Sequence, residues 1–272
     1  MPTPRVRLER SACVATLVLD RPEVRNALDN DTVEELCDKL RSLAADSGVR
    51  VVQLAGAGSC FSAGADLRAM RRMGTAEPAR NLADTRRFVE MLRLLHAMPK
   101  PTVARVQGAA VGGGVGLVAC CDVAVASEDA FFRLSEVQLG LVPAMVGPYL
   151  VEVLGAKLAR RLMLTAERVD ALRAQAWGLV DEVVPATELD AATQKMTDRL
   201  LRGAPGALAT CKELVREISD SPLDDEIRDR TAQVLAVRRS TDEGRAGVRA
   251  FLDKGRAPWL ATKGGGTETC KT

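Results

Sequence analysis

A run of glycines interrupts the most apolar stretch of the chain, "VQGAAVGGGVGLVACCD" from Val106 to Asp122. Each glycine inside a regular element costs about 0.5–1 kcal/mol in backbone entropy relative to alanine. The preceding "TVARVQG" is typical of a strand that leads straight into the glycines, and the following "GLVACCD" is typical of a buried helix. We therefore expect Gly112 to Gly114 to lie at a strand-to-helix junction where something approaches the backbone closely.

Nucleotide-binding glycine motifs do not fit this run. A dinucleotide fingerprint would need a third glycine where Leu117 stands, and a P-loop would need a lysine that is absent. Two interpretations stay open: close helix packing, or backbone N–H groups at a helix start that face a developing negative charge. The second needs a partner donor, and the small residues of "FSAGADL" (Phe61 to Leu67) follow another predicted strand. Together the two segments predict an oxyanion hole.

Strand and helix patterns alternate along most of the chain. Predicted strands at Val14–Asp20 and Val49–Gly56 flank a predicted helix at Asp31–Ala45, in which Asp31 and Glu34 resemble a capping box. After Pro205 only helical patterns remain, over residues 206–218, 223–237 and 242–254. The fold class is therefore predicted to be α/β with a helical C-terminal region.

Composition argues against several classes of protein. The 272 residues include 38 Lys and Arg against 36 Asp and Glu, without long basic runs, so we expect no nucleic acid partner. The longest nearly apolar run falls short of the roughly 18 residues of a membrane span, and the N-terminus lacks a signal-like apolar segment. We expect no membrane association and a cytoplasmic location. Seven cysteines without CxxC spacing and a single histidine predict neither a disulfide framework nor a metal site.

Five motifs occur in a characteristic order: "FSAGADL", "GAAVGGGVGL", "CDVAVAS", "SEVQLGLVPA" and "AWGLVDEVV". In this order and spacing they resemble the crotonase family, also called the enoyl-CoA hydratase/isomerase family, over residues 5–259. The resemblance implies a spiral of repeated ββα turns, a helical C-terminal region, an acyl-CoA substrate and assembly as homotrimers or homohexamers. It implies no cofactor, since coenzyme A is part of the substrate. We expect a spiral core with the acyl-CoA site over residues 1–204, a helical oligomerisation region over 205–262 and a disordered tail over 263–272.

The resemblance also implies roles for individual residues. The backbone amides of Ala65 and Gly113 would form the oxyanion hole, with Gly112 and Gly114 beside them at the helix start. Glu136, in "SEVQLG", would be the catalytic acid and base. The residues predicted to bind coenzyme A are Arg25, Ala27, Ala63, Asp66, Leu67 and Lys254. Asp66 and Asp122 are also interpreted as local caps or loop anchors.

The sequence departs from the family pattern at one position. Many members carry a second glutamate where this chain has Gly116, which cannot titrate. A lone Glu136 would either pass a proton from water to the α carbon or shuttle one between the α and γ carbons. The motif string most resembles bacterial enoyl-CoA hydratases of the 3-methylglutaconyl-CoA type, which act in branched-chain acid catabolism such as leucine degradation, and this favours hydration. The alternatives are a 3-enoyl to 2-enoyl-CoA isomerase and a non-catalytic acyl-CoA or RNA-binding member. Arg133 is interpreted either as a surface residue or as the partner of a substrate carboxylate.

Overall fold

Two β-sheets organise the protein in the computed structural model, which describes residues 4–219 and 221–260. The first sheet has the strand order β1-β2-β3-β4-β6-β9 and is parallel except for the β1–β2 pair; in the second, of order β5-β7-β8, only β5 and β7 are parallel. The strands are β1 (Val6–Ser11), β2 (Val14–Leu19), β3 (Val51–Gly56), β4 (Thr102–Val106), β5 (Ala109–Val111), β6 (Val123–Ser127), β7 (Phe131–Arg133), β8 (Val169–Asp170) and β9 (Glu182–Val184).

Helices connect these strands and alone follow the last of them within the described residues. The helices are α1 (Asn30–Ala45), α2 (Leu67–Gly74), α3 (Pro78–His96), α4 (Gly113–Ala119), α5 (Gly147–Thr165), α6 (Ala171–Ala176), α7 (Leu189–Leu201), α8 (Pro205–Ser219), α9 (Asp225–Ser240) and α10 (Asp242–Leu252). The predicted α/β class and helical C-terminal region are confirmed. The division at residues 204 and 205 stays a prediction, and the tail predicted for 263–272 lies outside the described residues.

Successive turns of the chain repeat one path. In two of them a strand of the six-stranded sheet is followed by a strand of the three-stranded sheet and then a helix: β4-β5-α4 and β6-β7-α5. The turn before them has the same form, because after β3 the chain makes a single bridge from Ser62 to Ala110 of β5. Ala110 in turn pairs with Phe132 of β7. The spiral of ββα turns predicted from the family resemblance is confirmed.

The strand predicted to run straight into the glycines is in fact two strands, and that expectation was wrong. β4 ends at Val106, and β5 begins at Ala109 in the other sheet. The corner is Gly108, with φ +58°, where a methyl group would overlap the carbonyl oxygen of Ser59. Only glycine accommodates both the backbone conformation and this close approach.

The six-stranded sheet is apolar on both faces, which is usual for parallel strands covered on both sides. Alternate residues of three central strands point to α7, in a cluster of Val51, Val103, Val125, Leu189 and Ala192. Their neighbours point into the larger core, which includes Val52, Leu54, Ala104 and Ala124 together with Leu36 and Leu40 of α1 and Met91 of α3. Packing on both faces of the sheet therefore fixes the strand ends that support the site.

The N-terminus of α1 differs from the predicted capping box, which was wrong. Asp29 caps the helix by accepting hydrogen bonds from the amide of Thr32 (3.0 Å) and its hydroxyl (2.7 Å). Asp31 lies inside the helix and is not its N-cap. The glutamate that accepts a backbone amide near this helix end is Glu35, which accepts from Val6 of β1 at 3.0 Å. Asp29 is preferred because it also meets the guanidinium of Arg21, at 3.1 Å, which sequence spacing does not reveal.

The C-terminal helices are tied to the rest of the chain through Arg50. Its guanidinium donates to the carbonyl oxygens of Trp259 (2.6 Å), Leu201 (2.9 Å) and Gly203 (2.7 Å). The Trp259 indole donates to the carbonyl of Arg202 at 2.9 Å. One cation therefore joins the end of α7 to the segment that follows α10.

Arg50→Ala is expected to lower the free energy of unfolding by about 2–4 kcal/mol, because hydrogen bonds to a charged donor contribute about 1.5–3 kcal/mol each and are not additive. Urea denaturation followed by circular dichroism measures the change. Arg41→Ala is the control, since Arg41 pairs only with exposed Asp38 and half-buried Glu90 among the described residues. Equal losses in the two variants would contradict the role given to Arg50.

Two further properties follow from residues 4–219 and 221–260. None of the helices formed by these residues combines the length and the apolarity needed to cross a membrane. No three His, Cys, Asp or Glu side chains of this part of the chain are grouped so that they could hold a metal ion.

Candidate active site

The glycine run meets Glu136 at the start of α4. Gly112 is the N-cap of the helix, with φ +51°, and its amide donates to the carbonyl of Arg133 at 2.8 Å. That bond joins the helix start to the end of β7, three residues before Glu136. A methyl group at position 112 would lie 2.9 Å from Glu136 Oε1, so the missing side chain is the space that the carboxylate occupies.

The Glu136 carboxyl lies in an unusual environment. Within the described part of the chain its buried Oε2 atom has no hydrogen-bond partner. Burial raises the pKa of Glu136 above its ordinary value, and the residue's own backbone amide opposes part of that rise. Such a carboxyl binds a proton more readily than a solvated one, which suits proton transfer near neutral pH.

The two predicted oxyanion donors are brought together by the second sheet. Ser62 pairs with β5 on both sides: its amide donates to Ala109 (3.0 Å), and its carbonyl accepts from Val111 (2.9 Å). Two residues later, a methyl group on Gly64 would overlap the Val111 carbonyl oxygen and lie 3.2 Å from the Gly113 nitrogen. Glycine at position 64, with φ +81°, therefore lets the Ala65 segment approach the start of α4.

Both amides are available to a ligand. Neither the Ala65 nor the Gly113 amide donates a hydrogen bond to another described residue, and Gly113 is the first residue of α4, where helical amides lack partners. Ala65 and Gly113 are half-buried, whereas Gly64, Gly112 and Gly114 around them are buried. Gly114 packs against Ser62, since a methyl group at position 114 would lie 2.8 Å from the Ser62 carbonyl oxygen. Ala65 and Gly113 are thus more accessible than the three glycines around them.

Sequence analysis missed Asn26 as the residue that organises this site. Asn26 is 1% exposed and adopts φ +55°. Its side-chain amide donates to the carbonyls of Ala57 (2.9 Å) and Cys60 (2.7 Å), and its backbone carbonyl accepts the Ser62 hydroxyl at 2.9 Å. Asn26 therefore fixes the segment that leads to Ala65. Asparagine tolerates a positive φ better than most residues. In the sequence around it, "RPEVRNAL" from Arg21 to Leu28, this was the only signal that Asn26 has a special structural role.

Asn26→Ala is expected to lower the free energy of unfolding by about 2–4 kcal/mol, because it leaves buried carbonyls without donors and strains a positive φ. Thermal and urea denaturation measure the change. The control is Asn81→Ala on α3, since the Asn81 side chain makes no hydrogen bond to another described residue. A loss at Asn26 no larger than that of the control would contradict this role.

Most residues predicted to bind coenzyme A lie in two adjacent segments. The Ala63 amide donates to the Arg25 carbonyl at 2.8 Å, and Leu28 bridges the segments by accepting from Asp66 at 2.9 Å. Arg25 is exposed, Ala27 is buried, and Leu67 is 65% exposed. Asp66 caps α2 by accepting from the amides of Arg68 and Ala69, so the predicted capping role is confirmed.

Lys254 and Arg133 are placed differently. Lys254 follows α10 with φ +52°, and no hydrogen bond or ion pair among the described residues joins it to the other predicted site residues. The Arg133 guanidinium donates to the carbonyl of Ala166 (2.9 Å) and to the Gln138 side chain (2.7 Å). Arg133 thus has partners within the protein. Asp122 is a loop anchor as expected, since it accepts from the Thr102 amide at 2.7 Å.

The position without a second glutamate is filled by hydrocarbon. A methyl group at Gly116 would overlap Val146 Cγ1 and lie 3.5 Å from Leu92 Cδ2. Val146 and Leu92 are each 2% exposed. The site therefore combines two unpaired amides with one carboxylate, groups whose chemistry is suited to polarising a carbonyl oxygen and to transferring a proton.

Comparisons with known proteins find relatives over most of the chain. A sequence profile described as enoyl-CoA hydratase/isomerase matches residues 9–262. The chain is 33% identical over 248 residues to 2,3-dehydroadipyl-CoA hydratase of Escherichia coli K12, covering 91% of this chain and 95% of that protein. It is 32% identical over 256 residues to crotonyl-CoA hydratase of Syntrophomonas wolfei, covering 93% and 97%. A crystal structure of an enoyl-CoA hydratase from Shewanella pealeana has a TM-score of 0.91 at 37% identity, covering 93% and 95%.

Proposed function

The chain belongs to the enoyl-CoA hydratase/isomerase family, and we propose that it is an enzyme that adds water to a 2-enoyl-CoA thioester. The observation that carries the proposal is the Glu136 carboxylate held against Gly112, beside the unpaired Gly113 amide. A carboxylate placed there adjoins any carbonyl group bound to that amide. No cofactor enters the reaction, because coenzyme A belongs to the substrate.

The amides of Ala65 and Gly113 bind the thioester oxygen. As water attacks C3, the C2–C3 double-bond electrons move toward the carbonyl and negative charge develops on this oxygen. Two donors that are already in place stabilise the enolate without rearrangement, and one such donor typically contributes about 2.7–4 kcal/mol to the transition state. The amino end of α4 adds its partial positive charge at the same point.

Glu136 moves the proton. Its carboxylate accepts a proton from water as the hydroxyl oxygen bonds to C3, and the carboxylic acid then donates that proton to C2 of the enolate. The product is a 3-hydroxyacyl-CoA, so the atoms of one water molecule are gained. The buried position of the Glu136 carboxyl favours this double use, since its pKa is raised toward neutrality.

The second candidate is isomerisation of a 3-enoyl-CoA to a 2-enoyl-CoA. It is favoured by the hydrocarbon at Gly116, because a lone carboxylate is sufficient to carry a proton from C2 to C4. The same two amides would stabilise the dienolate. The two reactions differ in whether water enters the product.

The finer assignments belong to the same proposal. We place coenzyme A along Arg25, Ala27, Ala63, Asp66 and Leu67, with Lys254 reaching a phosphate from a neighbouring subunit of a homotrimer or homohexamer. Exposed apolar side chains on the C-terminal helices support assembly: Val215, Leu235, Val248 and Phe251 are 60%, 52%, 61% and 84% exposed. A branched 3-methylglutaconyl-type acyl group is the proposed substrate.

Turnover of the purified protein in H₂¹⁸O tests the proposal. Four substrates are incubated in parallel, and the products are analysed by mass spectrometry. The substrates are crotonyl-CoA, 2,3-dehydroadipyl-CoA, 3-methylglutaconyl-CoA and a 3-enoyl-CoA. A hydratase gives a product with ¹⁸O at C3 from the 2-enoyl substrates. If only the 3-enoyl substrate is converted, without a change in mass, the reaction is isomerisation and not hydration. If the protein binds these substrates but converts none of them, the proposal that it is an enzyme is contradicted.

A further inference from the structure

One face of α4 lacks side chains at two points a helical turn apart. Residues four apart lie on the same side of a helix, and here they are the N-cap Gly112 and Gly116. Glu136 Oε1 occupies the space beside the first, and the Val146 side chain occupies the space beside the second. Both ends of the segment 136–146 therefore lie in glycine notches of the same helix.

The middle of this segment is largely exposed, although Pro143 is buried and the Gln138 side chain accepts from Arg133. Leu139, Leu141 and Val142 are 54%, 44% and 72% exposed, whereas Val146 is 2% exposed. The segment is nevertheless bonded within itself. The Leu141 amide donates to the Glu136 carbonyl at 3.0 Å, and the Gly147 amide donates to Pro143 at 3.1 Å. The Ala144 amide donates to the Val142 carbonyl at 2.8 Å between them. We therefore expect a displacement at Val146 to be passed along the segment toward Glu136.

We propose that Val146, seated on Gly116, is a positioning residue that holds the Glu136 carboxylate against Gly112 beside the oxyanion donors. This role rests on the proposed function of Glu136. The same contact leaves no space for a side chain at position 116, so the surroundings of Gly116 stay hydrocarbon and no second carboxylate fits there.

The proposal is tested with Gly116→Ala, Val146→Ala and the double variant. In Gly116→Ala the added methyl group overlaps Val146 Cγ1, which must move. We expect this movement to displace the segment 136–146. We expect kcat to fall about tenfold with KM nearly unchanged, which is within the range of coupling between residues in contact. In the double variant the smaller alanine at 146 makes room for the methyl group, and kcat is expected to recover to within about threefold of the parent protein.

A second readout follows Glu136 without turnover. With ¹³C-carboxyl glutamate, NMR titration reports the pKa of Glu136, whose signal is identified by its loss in Glu136→Gln. We expect that pKa to fall toward the ordinary value in Gly116→Ala and in Val146→Ala, because the displaced carboxyl meets water. It is expected to rise again in the double variant. Gly74→Ala is the matched control, since a methyl group there contacts nothing.

The outcomes separate this role from the proposed function. An unchanged kcat and an unchanged Glu136 pKa in Gly116→Ala would overturn the role of Val146, and so would a loss that Val146→Ala does not rescue. If Gly116→Ala does not fold, an unchanged Glu136 pKa in Val146→Ala overturns it. If the parent protein hydrates no enoyl-CoA, the proposed function fails, and the titration alone then decides whether Val146 positions the carboxyl.

Discussion

Glu136→Gln is expected to lower kcat for hydration by about 10²–10⁴-fold while the protein stays folded, because the amide cannot accept the proton of water. Glutamine has nearly the shape of glutamate, so the contact with Gly112 is retained. Steady-state assays with a 2-enoyl-CoA measure the change. Turnover is monitored as the loss of absorbance of the conjugated thioester. KM is expected to change little, since the carboxyl acts on water.

Glu128→Gln is the matched control for this variant. Glu128 lies exposed in the turn between β6 and β7, and its side chain makes no ion pair with another described residue. The control is expected to keep full activity. If Glu136→Gln keeps it too, Glu136 is not the acid and base, and the reaction must use another group.

The raised pKa of Glu136 also predicts two opposite dependences on pH. The carboxylate is the form that accepts a proton, so kcat/KM is expected to fall as the pH drops through the raised value. Stability changes in the other sense. Below the ordinary glutamate pKa, about 4.3, the folded and unfolded chains both hold the proton, and the contribution of Glu136 to stability is complete. It is lost as the pH rises through the folded value, so Glu136→Gln is expected to melt at a higher temperature than the parent protein at pH 8.

Gly113→Pro is expected to lower kcat by about 10²–10³-fold, because proline removes one of the two N–H donors to the thioester oxygen. Proline is tolerated at the first position of a helix, which is where Gly113 lies in α4. A methyl group at this position would lie 3.4 Å from Leu28 Cδ1, so there is room for a small side chain. Steady-state kinetics and a melting curve measure activity and folding separately.

Gly113→Ala separates the lost donor from added bulk. It adds a Cβ and keeps the amide, so its kcat is expected to stay within about tenfold of the parent value, well above that of the proline variant. If the two variants have equal kcat while both are folded, the Gly113 amide is not a donor and the oxyanion hole must be sought elsewhere. A Gly113→Pro variant with parental activity would have the same meaning.

Much of the fold was predictable because it depends on local patterns. The strands at Val14 and Val51, the helix at Asn30–Ala45 and the helical region after Pro205 follow from apolar periodicity and from the residues that end each element. The failures were at points where distant residues decide. Asp29 caps α1 because Arg21 lies beside it, and Gly108 turns the chain because Ser59 lies against it.

The candidate site shows the same division. The glycines at 112 and 113 and the glutamate at 136 were recognisable from their motifs. Bare backbone requires glycine and proton transfer here requires a carboxyl, so each position is marked by its residue type alone. The burial of Glu136 Oε2, the anchoring of the Ala65 segment by Asn26 and the hydrocarbon at Gly116 were not. Each depends on what another turn of the spiral brings into contact.

By itself, then, the sequence determined the class of fold, the family and the chemical types available at the site, because these reside in local patterns and in the order of motifs. The tertiary structure decided which amides are left without partners, which carboxyl loses its water and which side chain fills the space over Gly116. The physical reason is that hydrogen-bond satisfaction, desolvation and packing are properties of neighbours in space. Those neighbours are distant along the chain: Asn26 and Cys60 are 34 positions apart, and Gly116 and Val146 are 30.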